Sequence, residues 1–477
     1  MIAAGLFGGI FSFVGSGVPS YWADEVATIQ ASHLKLQDLL LLVQHKDAVH
    51  GTYYVIIHVW TGVFGDTEWA TRSLSAFAVG AAAGGIVVIG RLLYDVRFGL
   101  LAAAIFSVLP RTTYMGSEAR AYALATALVV WCVAVMILAS RSSGSGWWAL
   151  YAGLLVLGTY VFLYSILMAA VHLVYLACLD SRKRSVGRCI LAFGATAILV
   201  SPLLLVARGQ REQISWLADQ PSVNVWTIVI EPWFDSSWLV AALVIGGLVV
   251  GVVRRRRLIS LFDREKLILV VGWVILPLIL LLLANGVAGP LYSSRYLSFT
   301  TPGLALALAM AIIGMDLRRW VAPVVVVGLV SACAPTYLDQ RTPYAKNGGS
   351  DIRQVSETIA THASQGDAFY LQNDGPATKR PRLALDAYPQ AFRSLDDVAF
   401  IRSDLTLGKY PDITRLPSQI QWSKLPARTV WVALVATEHP KSAHDIRKAL
   451  TAAGYHIGRS FHLARTTVVE FDRDGAQ

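Results

Sequence analysis

The sequence predicts an α-helical polytopic membrane protein of about eleven transmembrane helices, followed by a small C-terminal α/β extracytoplasmic domain. Three observations predict it. The 477 residues are 55% hydrophobic and 15% charged, where a soluble domain of this size carries about 25% charged residues. The apolar excess lies in long blocks up to about residue 336 and then falls away, which is the pattern of consecutive bilayer spans and a soluble tail. Many of the Arg residues cluster in short loops between apolar blocks, so the net charge of +10 does not suggest a nucleic-acid binder.

The expected spans are 2–19, 69–90, 98–114, 119–140, 147–163, 165–179, 189–207, 236–253, 267–285, 299–314 and 320–336. The first lacks a basic segment ahead of it, and Gly17-Val18-Pro19-Ser20-Tyr21 is a poor cleavage site. It is therefore read as a retained span and not as a signal peptide. The stretch Thr52–Gly65 is apolar but holds only about 14 residues, short for a bilayer core that needs about 20. It suits an interfacial helix, and Val26–Gln44 is a second amphipathic stretch in the same loop.

Charge decides that choice. With eleven spans and a cytoplasmic N-terminus, the inner loops hold Arg91, Arg97, Arg141, Arg182-Lys183-Arg184, Arg188, Arg254 to Arg257, Arg264, Lys266, Arg318 and Arg319. The opposite loops are far poorer in Lys and Arg, as the positive-inside rule requires. A span at 52–65 would reverse every later loop. This topology places loop 20–68 and the tail outside a plasma membrane.

The domains read as 1–336, a transmembrane part whose first external loop is 20–68, and 337–477, the extracytoplasmic part. In the tail, Ala368–Gln372, Thr429–Val435 and Thr466–Phe471 have strand character. Ile352–His362 and Ser442–Ala453 have helical periodicity, and Gly348-Gly349-Ser350 marks a linker. Cys132, Cys178, Cys189 and Cys333 fall in or beside apolar blocks, without disulfide or zinc spacing.

Chemistry-bearing residues gather in the outward segments. Asp24 and Glu25 follow the first span, in Tyr21-Trp22-Ala23-Asp24-Glu25, and adjacent carboxylates are costly to keep beside lipid. His50, Tyr53 and Tyr54 come later in the same loop. Glu118 and Arg120 sit at the top of a hairpin between two spans. Trp216 lies in Gln213-Ile214-Ser215-Trp216-Leu217, and Arg295 and Tyr296 close Tyr292-Ser293-Ser294-Arg295-Tyr296. A carboxylate can take a proton from a hydroxyl. Fixed Arg or His can neutralise a phosphate oxyanion, and Trp and Tyr faces can pack on a sugar ring. Each residue also has a structural reading. Glu25 would complement a helix N-terminus, Glu118 would pair with Arg120, and Trp216 would be an interface aromatic. His58 and His172, on apolar stretches, read as structural.

Here the sequence resembles a family, the C-type (GT-C) glycosyltransferases of the protein-O-mannosyltransferase and lipid A aminoarabinose transferase group. The resemblance rests on Trp22-Ala23-Asp24-Glu25, His50-Gly51-Thr52-Tyr53-Tyr54, Thr71-Arg72-Ser73-Leu74-Ser75, Ser117 to Leu124 and Ser294-Arg295-Tyr296-Leu297, in that order. Members often carry His-Pro-Pro where this chain has His50-Gly51-Thr52, so its backbone is less constrained there. The Ala-, Val- and Arg-rich, Lys-poor spans have an actinobacterial look.

The resemblance implies an inverting transferase that moves a sugar, mannose by preference, from a polyprenyl-phosphate donor to a cell-envelope glycan, glycolipid or protein acceptor. Asp24, Glu25 and Glu118 are the implied catalytic residues. His50, Tyr54, Arg120, Trp216, Arg295 and Tyr296 are the implied substrate contacts. No cofactor is obligatory, a divalent metal stays open, and no nucleic acid is expected as a partner. Arabinofuranose as the donor sugar is the alternative. Two other classes compete: a lipid or glycan transporter, which would show two related halves and midplane charges, and a non-catalytic envelope assembly protein.

Overall fold

A computed structural model describes residues 1–142, 144–179, 186–219, 223–253, 255–315, 321–403, 412–436 and 440–473. The basic positions Arg182 to Arg184, Arg254, Arg318 and Arg319 lie outside the described residues. The chain divides into two compact units, one of Met1–Ser16 with Asp47–Asp339 and one of Gly17–Lys46 with Gln340–Gln477. The loop 20–68 is thus shared between them, its first half grouping with the tail.

The helices in chain order are α1 (Ile2–Phe13), α2 (Ala23–His33), α3 (Leu36–His45), α4 (Gly51–Phe64), α5 (Glu68–Leu93), α6 (Val96–Val108) and α7 (Pro110–Met115). They continue with α8 (Tyr122–Arg141), α9 (Ser145–Val161), α10 (Met168–Ala177), α11 (Val186–Gly209), α12 (Val225–Val229), α13 (Glu231–Phe234) and α14 (Trp238–Val253). The rest are α15 (Arg255–Leu261), α16 (Arg264–Ala288), α17 (Thr301–Gly314), α18 (Val321–Asp339), α19 (Ile352–His362), α20 (Leu383–Ala387) and α21 (Pro440–Ala452). Every expected span overlaps a helix, but the first, 2–19, is helical only to Phe13, and 98–114 is broken into α6 and α7 at Pro110. Among the described residues, five segments are long and apolar enough to cross a bilayer by themselves: α5, α8, α11, α16 and Ser294–Gly314. α1, α6, Leu163–Ala177, α14 and Pro323–Asp339 are shorter apolar helices.

In the helical unit α5 packs against α1, α6 and α8, and α17 against α6, α14 and α16. Small residues let these backbones approach. A Cβ on Gly80 of α5 would come within 2.7 Å of the Gly5 carbonyl oxygen of α1, and one on Gly90 would strike Gly99 of α6. Ser294–Gly314 buries 89% of its most apolar window, whereas α11 buries 22%. Ser294–Gly314 is therefore central to the helical unit, and α11 is peripheral. Buried Arg72 of α5 donates from Nη1 to the Ser16 carbonyl at 2.7 Å, closing the exit from α1. α4 has 14 residues, as its sequence foretold. It buries Tyr53, Tyr54 and Ile57 on one side and leaves apolar Val59 and Val63 exposed on the other.

The α/β unit is built on a five-stranded sheet with strands β1 (Ala368–Leu371), β2 (Asp396–Asp397), β5 (Thr429–Val435), β6 (Tyr455–His462) and β7 (Thr466–Arg473), ordered β2-β1-β5-β7-β6. Strands β3 (Phe400–Arg402) and β4 (Ile413–Thr414) form a separate antiparallel pair. β1 runs parallel to β2 and β5, while β7 is antiparallel to β5 and β6. The side-chain alternation of β5 is clean. Val430, Val432 and Leu434 enter one core with Tyr370, Trp422 and Phe471. Trp431 and Ala433 enter the other with Phe369, Ile352 and Ile359 of α19.

The expected linker is an ordered turn. Gly348 and Gly349 take φ of 65° and 97°, a region that glycine enters without steric cost. Beyond it, buried Asp351 accepts hydrogen bonds from the backbone N–H groups of Arg465 and Thr466, both at 2.8 Å. Those bonds tie the start of α19 to the start of β7.

Candidate active site

The candidate residues sort by unit. His50, Tyr54, Glu118, Arg120, Trp216, Arg295 and Tyr296 lie in the helical unit, and Asp24 and Glu25 in the α/β unit.

In the helical unit His50 is the hub. Its Nε2 lies 3.2 Å from Nη2 of Arg120. A guanidinium has donors and no acceptor, so Nε2 accepts and the ring proton belongs on Nδ1. Desolvation holds the imidazole well below its ordinary range, and the charges of Arg120 and Arg295 push it the same way. His50 is therefore a neutral ring in the field of two cations. Arg295 sets its guanidinium carbon 5.3 Å from the centroid of the Trp216 ring. That contact contributes about 0.5–1 kcal/mol where the ring is partly open to solvent. Tyr54 lies one helical turn beyond His50, with ring centroids 6.0 Å apart. Tyr296 stacks on Tyr164 at 4.8 Å and 20°.

Local structure explains why these groups stay in place. The turn before His50 passes through Asp47, whose φ of 57° is left-handed. That conformation costs an L-residue about 1–2 kcal/mol. Three hydrogen bonds of about 1 kcal/mol each outweigh it. Gln213 Oε1 accepts from Asp47 N and Gln210 Oε1 from Ala48 N, both at 2.9 Å, and Tyr54 Oη donates to Asp47 Oδ2 at 3.0 Å. Arg120 leaves a tight turn in which its own N–H donates to the Glu118 carbonyl at 2.9 Å. The same carbonyl accepts from Ser75 Oγ at 2.6 Å, and the Glu118 side chain is buried. Arg295 sits in a 3₁₀ turn, Ser294–Thr300, that leads into α17. Trp233 and Trp273 donate their indole N–H groups to Thr300 Oγ1 and the Phe299 carbonyl, at 2.8 Å and 3.0 Å, and fix that turn.

In the α/β unit Asp24 and Glu25 occupy the first turn of α2. Trp22 supplies an extended N-cap without a side-chain bond, so the two carboxylates complement the exposed N–H groups of that turn. Glu25 is buried and Asp24 half-buried. Tyr21, Val26 and Ile29 enter the core formed by α19, β1 and β5, and burying Val26 and Ile29 contributes about 1.5–3 kcal/mol each.

In the helical unit His50, Arg120 and Arg295 can bind an anion, and in the α/β unit Asp24 or Glu25 can take up a proton. Among the described residues no group of three or more His, Cys, Asp or Glu could hold a metal ion. His172 is buried, with Nδ1 2.9 Å from Tyr151 Oη. Sequence reasoning missed Asp47, Gln210 and the anchoring task of Arg72. Asp47 shows only as a lone acid before a short turn, and its left-handed backbone has no glycine to signal it.

No protein-family model matches the chain, and no curated protein matches it. Solved structures do. The chain superposes on ArnT from Cupriavidus metallidurans bound to undecaprenyl phosphate with a TM-score of 0.58, at 13% identity, over 98% of this chain and 97% of that one. It superposes on the arabinofuranosyltransferase AftD from Mycobacteria with a TM-score of 0.55, at 13% identity, over 99% of this chain but 40% of that one. The oligosaccharyltransferase of Archaeoglobus fulgidus in the apo form gives a TM-score of 0.50, at 9% identity, over 95% of this chain and 73% of that one. At these identities the likeness is one of fold, and the fold it gives the chain is that of the C-type (GT-C) glycosyltransferases.

Proposed function

We propose that the chain is an inverting membrane glycosyltransferase that moves a sugar from a polyprenyl-phosphate donor to an acceptor hydroxyl of the cell envelope, on the outer face of the plasma membrane. The observation that carries the reading is the pair of cations Arg120 and Arg295 acting on a neutral His50, whose preceding turn three hydrogen bonds fix. The full-length likeness to a structure that holds undecaprenyl phosphate supports a lipid-phosphate donor.

In the proposed reaction the acceptor oxygen attacks the anomeric carbon. The bond from that carbon to the phosphate oxygen breaks, and the electron pair leaves with the polyprenyl phosphate. Asp24 takes the hydroxyl proton. Phosphate is already a good leaving group, so no strong general acid is needed. Arg295 and Arg120 stabilise the charge that develops on it, and neutral His50 can offer its Nδ1 proton. Glu25 and Glu118 offset positive charge on an oxocarbenium-like ring. Tyr54, Trp216 and Tyr296 supply aromatic faces for the sugar.

Mannose is the donor sugar we favour from the sequence. The likeness to AftD supports arabinofuranose as the second reading. The test is transfer by the purified protein from polyprenyl-phosphate mannose and from polyprenyl-phosphate arabinose, with and without chelator. Product from either donor supports the class and names the sugar, and no product from any polyprenyl-phosphate sugar refutes it.

A further inference from the structure

The segment between α11 and α14 touches the supports of all three anion-binding residues. Its described stretches are 210–219 and 223–237, both in the helical unit. In the first, Gln210 and Gln213 accept from Ala48 N and Asp47 N and hold the turn that leads to His50. Trp216, in the 3₁₀ run Arg211–Asp219, lies under the Arg295 guanidinium. In the second, hydrogen bonds fall on both sides of Arg295. Tyr292 Oη donates to the Thr227 carbonyl at 2.7 Å, and Trp233 Nε1 donates to Thr300 Oγ1 at 2.8 Å. One anchor stands three residues before Arg295 and the other five residues after it.

The second stretch is also bonded to the helix that leads to Arg120. Arg111 of α7 donates from Nη2 to the Glu231 carbonyl at 2.9 Å and lies 3.9 Å from Asp235 Oδ1. α7 ends at Met115, five residues before Arg120. Arg111 and Trp233 are each 6% exposed and Tyr292 8%, so they act on a ligand through what they hold. The chain returns to α14 through Asp235 and Ser236, with φ of 47° and 68°. Residues with a Cβ enter that left-handed region at a cost, and such strain persists where the surroundings over-determine the backbone. The bonds at Glu231 and Trp233 supply that constraint just ahead of the strained pair.

We infer that Arg111, Trp233 and Tyr292 are positioning residues. Through them the stretch 223–237 sets the Arg295 turn against the end of α7 that leads to Arg120, and so shapes the place that receives the donor phosphate. The donor part of this inference rests on the proposed function, and the mechanical coupling does not. Linkage adds a consequence. If the stretch raises affinity for the phosphate by some factor, bound phosphate stabilises the stretch by the same factor. Polyprenyl phosphate should therefore slow hydrogen exchange over 225–234, and the bond from Trp233 to Thr300 should be needed for that effect.

The experiment uses the full-length protein in nanodiscs, polyprenyl phosphate as the probe, and the variants Trp233→Phe, Thr300→Ala and Thr300→Ser. The first two delete one bond from its two sides, and the third keeps it. Affinity should fall about 3- to 10-fold in Trp233→Phe and in Thr300→Ala, and no further in the double variant than in Thr300→Ala. It should stay within about two-fold of the parent in Thr300→Ser. Exchange over 294–300 should accelerate about 10-fold in the first two variants, while exchange over α8 stays unchanged. The lipid should slow exchange over 225–234 in the parent and lose that effect in Trp233→Phe. Unchanged exchange over 294–300 in Trp233→Phe overturns the mechanical coupling. Faster exchange over α8 as well makes the bond a general stability element and overturns the positioning role. Faster exchange over 294–300 with unchanged affinity keeps the coupling and overturns its consequence for the donor. A parent that binds no polyprenyl phosphate refutes the proposed function and the donor part with it, and exchange over 294–300 then decides the coupling alone.

Discussion

Replacing Arg295 by alanine perturbs the cationic group at one defined point. Two of its interactions bear on the donor. The first is the contact over Trp216 at 5.3 Å, which holds the guanidinium in place in the free protein. The second is the proposed charge-assisted bond to the donor phosphate, of about 1.5–3 kcal/mol. At about 1.4 kcal/mol per decade, affinity for polyprenyl phosphate should fall about 10- to 150-fold. Arg295→Lys should recover part of the loss, because an ammonium keeps the charge without the planar fork. Arg295 is also one of the charges that hold the His50 imidazole down. Its removal should raise the pKa of His50, so any protonation step in lipid binding should move to higher pH in Arg295→Ala. The assay is a titration of purified protein with polyprenyl phosphate between pH 5 and 8. An unchanged dissociation constant in Arg295→Ala would take Arg295 out of the donor site.

Three further outcomes follow from the structure. Gly80→Val sets branched carbon against the Gly5 carbonyl, where even a Cβ would stand at 2.7 Å. The helical unit should lose about 1–3 kcal/mol, read as a lower unfolding temperature in detergent. With Cys178 and Cys189 changed to Ser, a cysteine at Ser394 should react with an impermeant thiol reagent in intact cells and one at Ser260 should not. The reverse pattern would overturn the proposed orientation. The Asp386 carboxyl is pushed up from 3.8 to about 7, by desolvation first and then by Asp412. A carboxyl raised on folding contributes stability that is full below about pH 4 and is lost as pH rises through about 7. Relative to Asp386→Asn, the parent α/β unit should therefore gain stability as pH falls from about 8 to about 4, measured by denaturant-dependent exchange of Thr429–Val435.

The membrane part was legible because hydropathy at bilayer length is a strong signal. Each expected span has its helix, and the short apolar stretch at Thr52–Gly65 is α4, with Tyr53 buried and Val63 exposed. β5 was legible in full, since its alternation serves two cores. β6 was not. Tyr455–His462 is a polar edge strand with most side chains in solvent, so it has no apolar period to read. Within the candidate site, the motif order singled out His50, Arg120 and Arg295, and the outward segment Gln213–Leu217 offered Trp216; all four join one electrostatic group. The supports of that group were not legible. Asp47, Gln210 and Gln213 act through backbone contacts between residues more than 160 positions apart, and a single sequence carries no trace of such a pairing. The grouping of α2 with the tail was hidden for the same reason. Val26 and Ile29 read as one amphipathic face, but nothing in their spacing names Phe369 and Trp431 as its partners.

The proposed chemistry stands or falls on single-turnover transfer by Asp24→Asn at saturating polyprenyl-phosphate sugar. The substitution keeps the shape of the side chain and the first turn of α2 and removes the proton acceptor. A general base contributes about 10²–10⁴-fold, and it acts on the chemical step more than on binding. Asp24→Asn should therefore bind the donor like the parent and transfer sugar about 10²–10⁴-fold more slowly, with Glu25→Gln losing less. Turnover by Asp24→Asn within a few-fold of the parent would contradict the base assignment, and a larger loss in Glu25→Gln would move that role to Glu25.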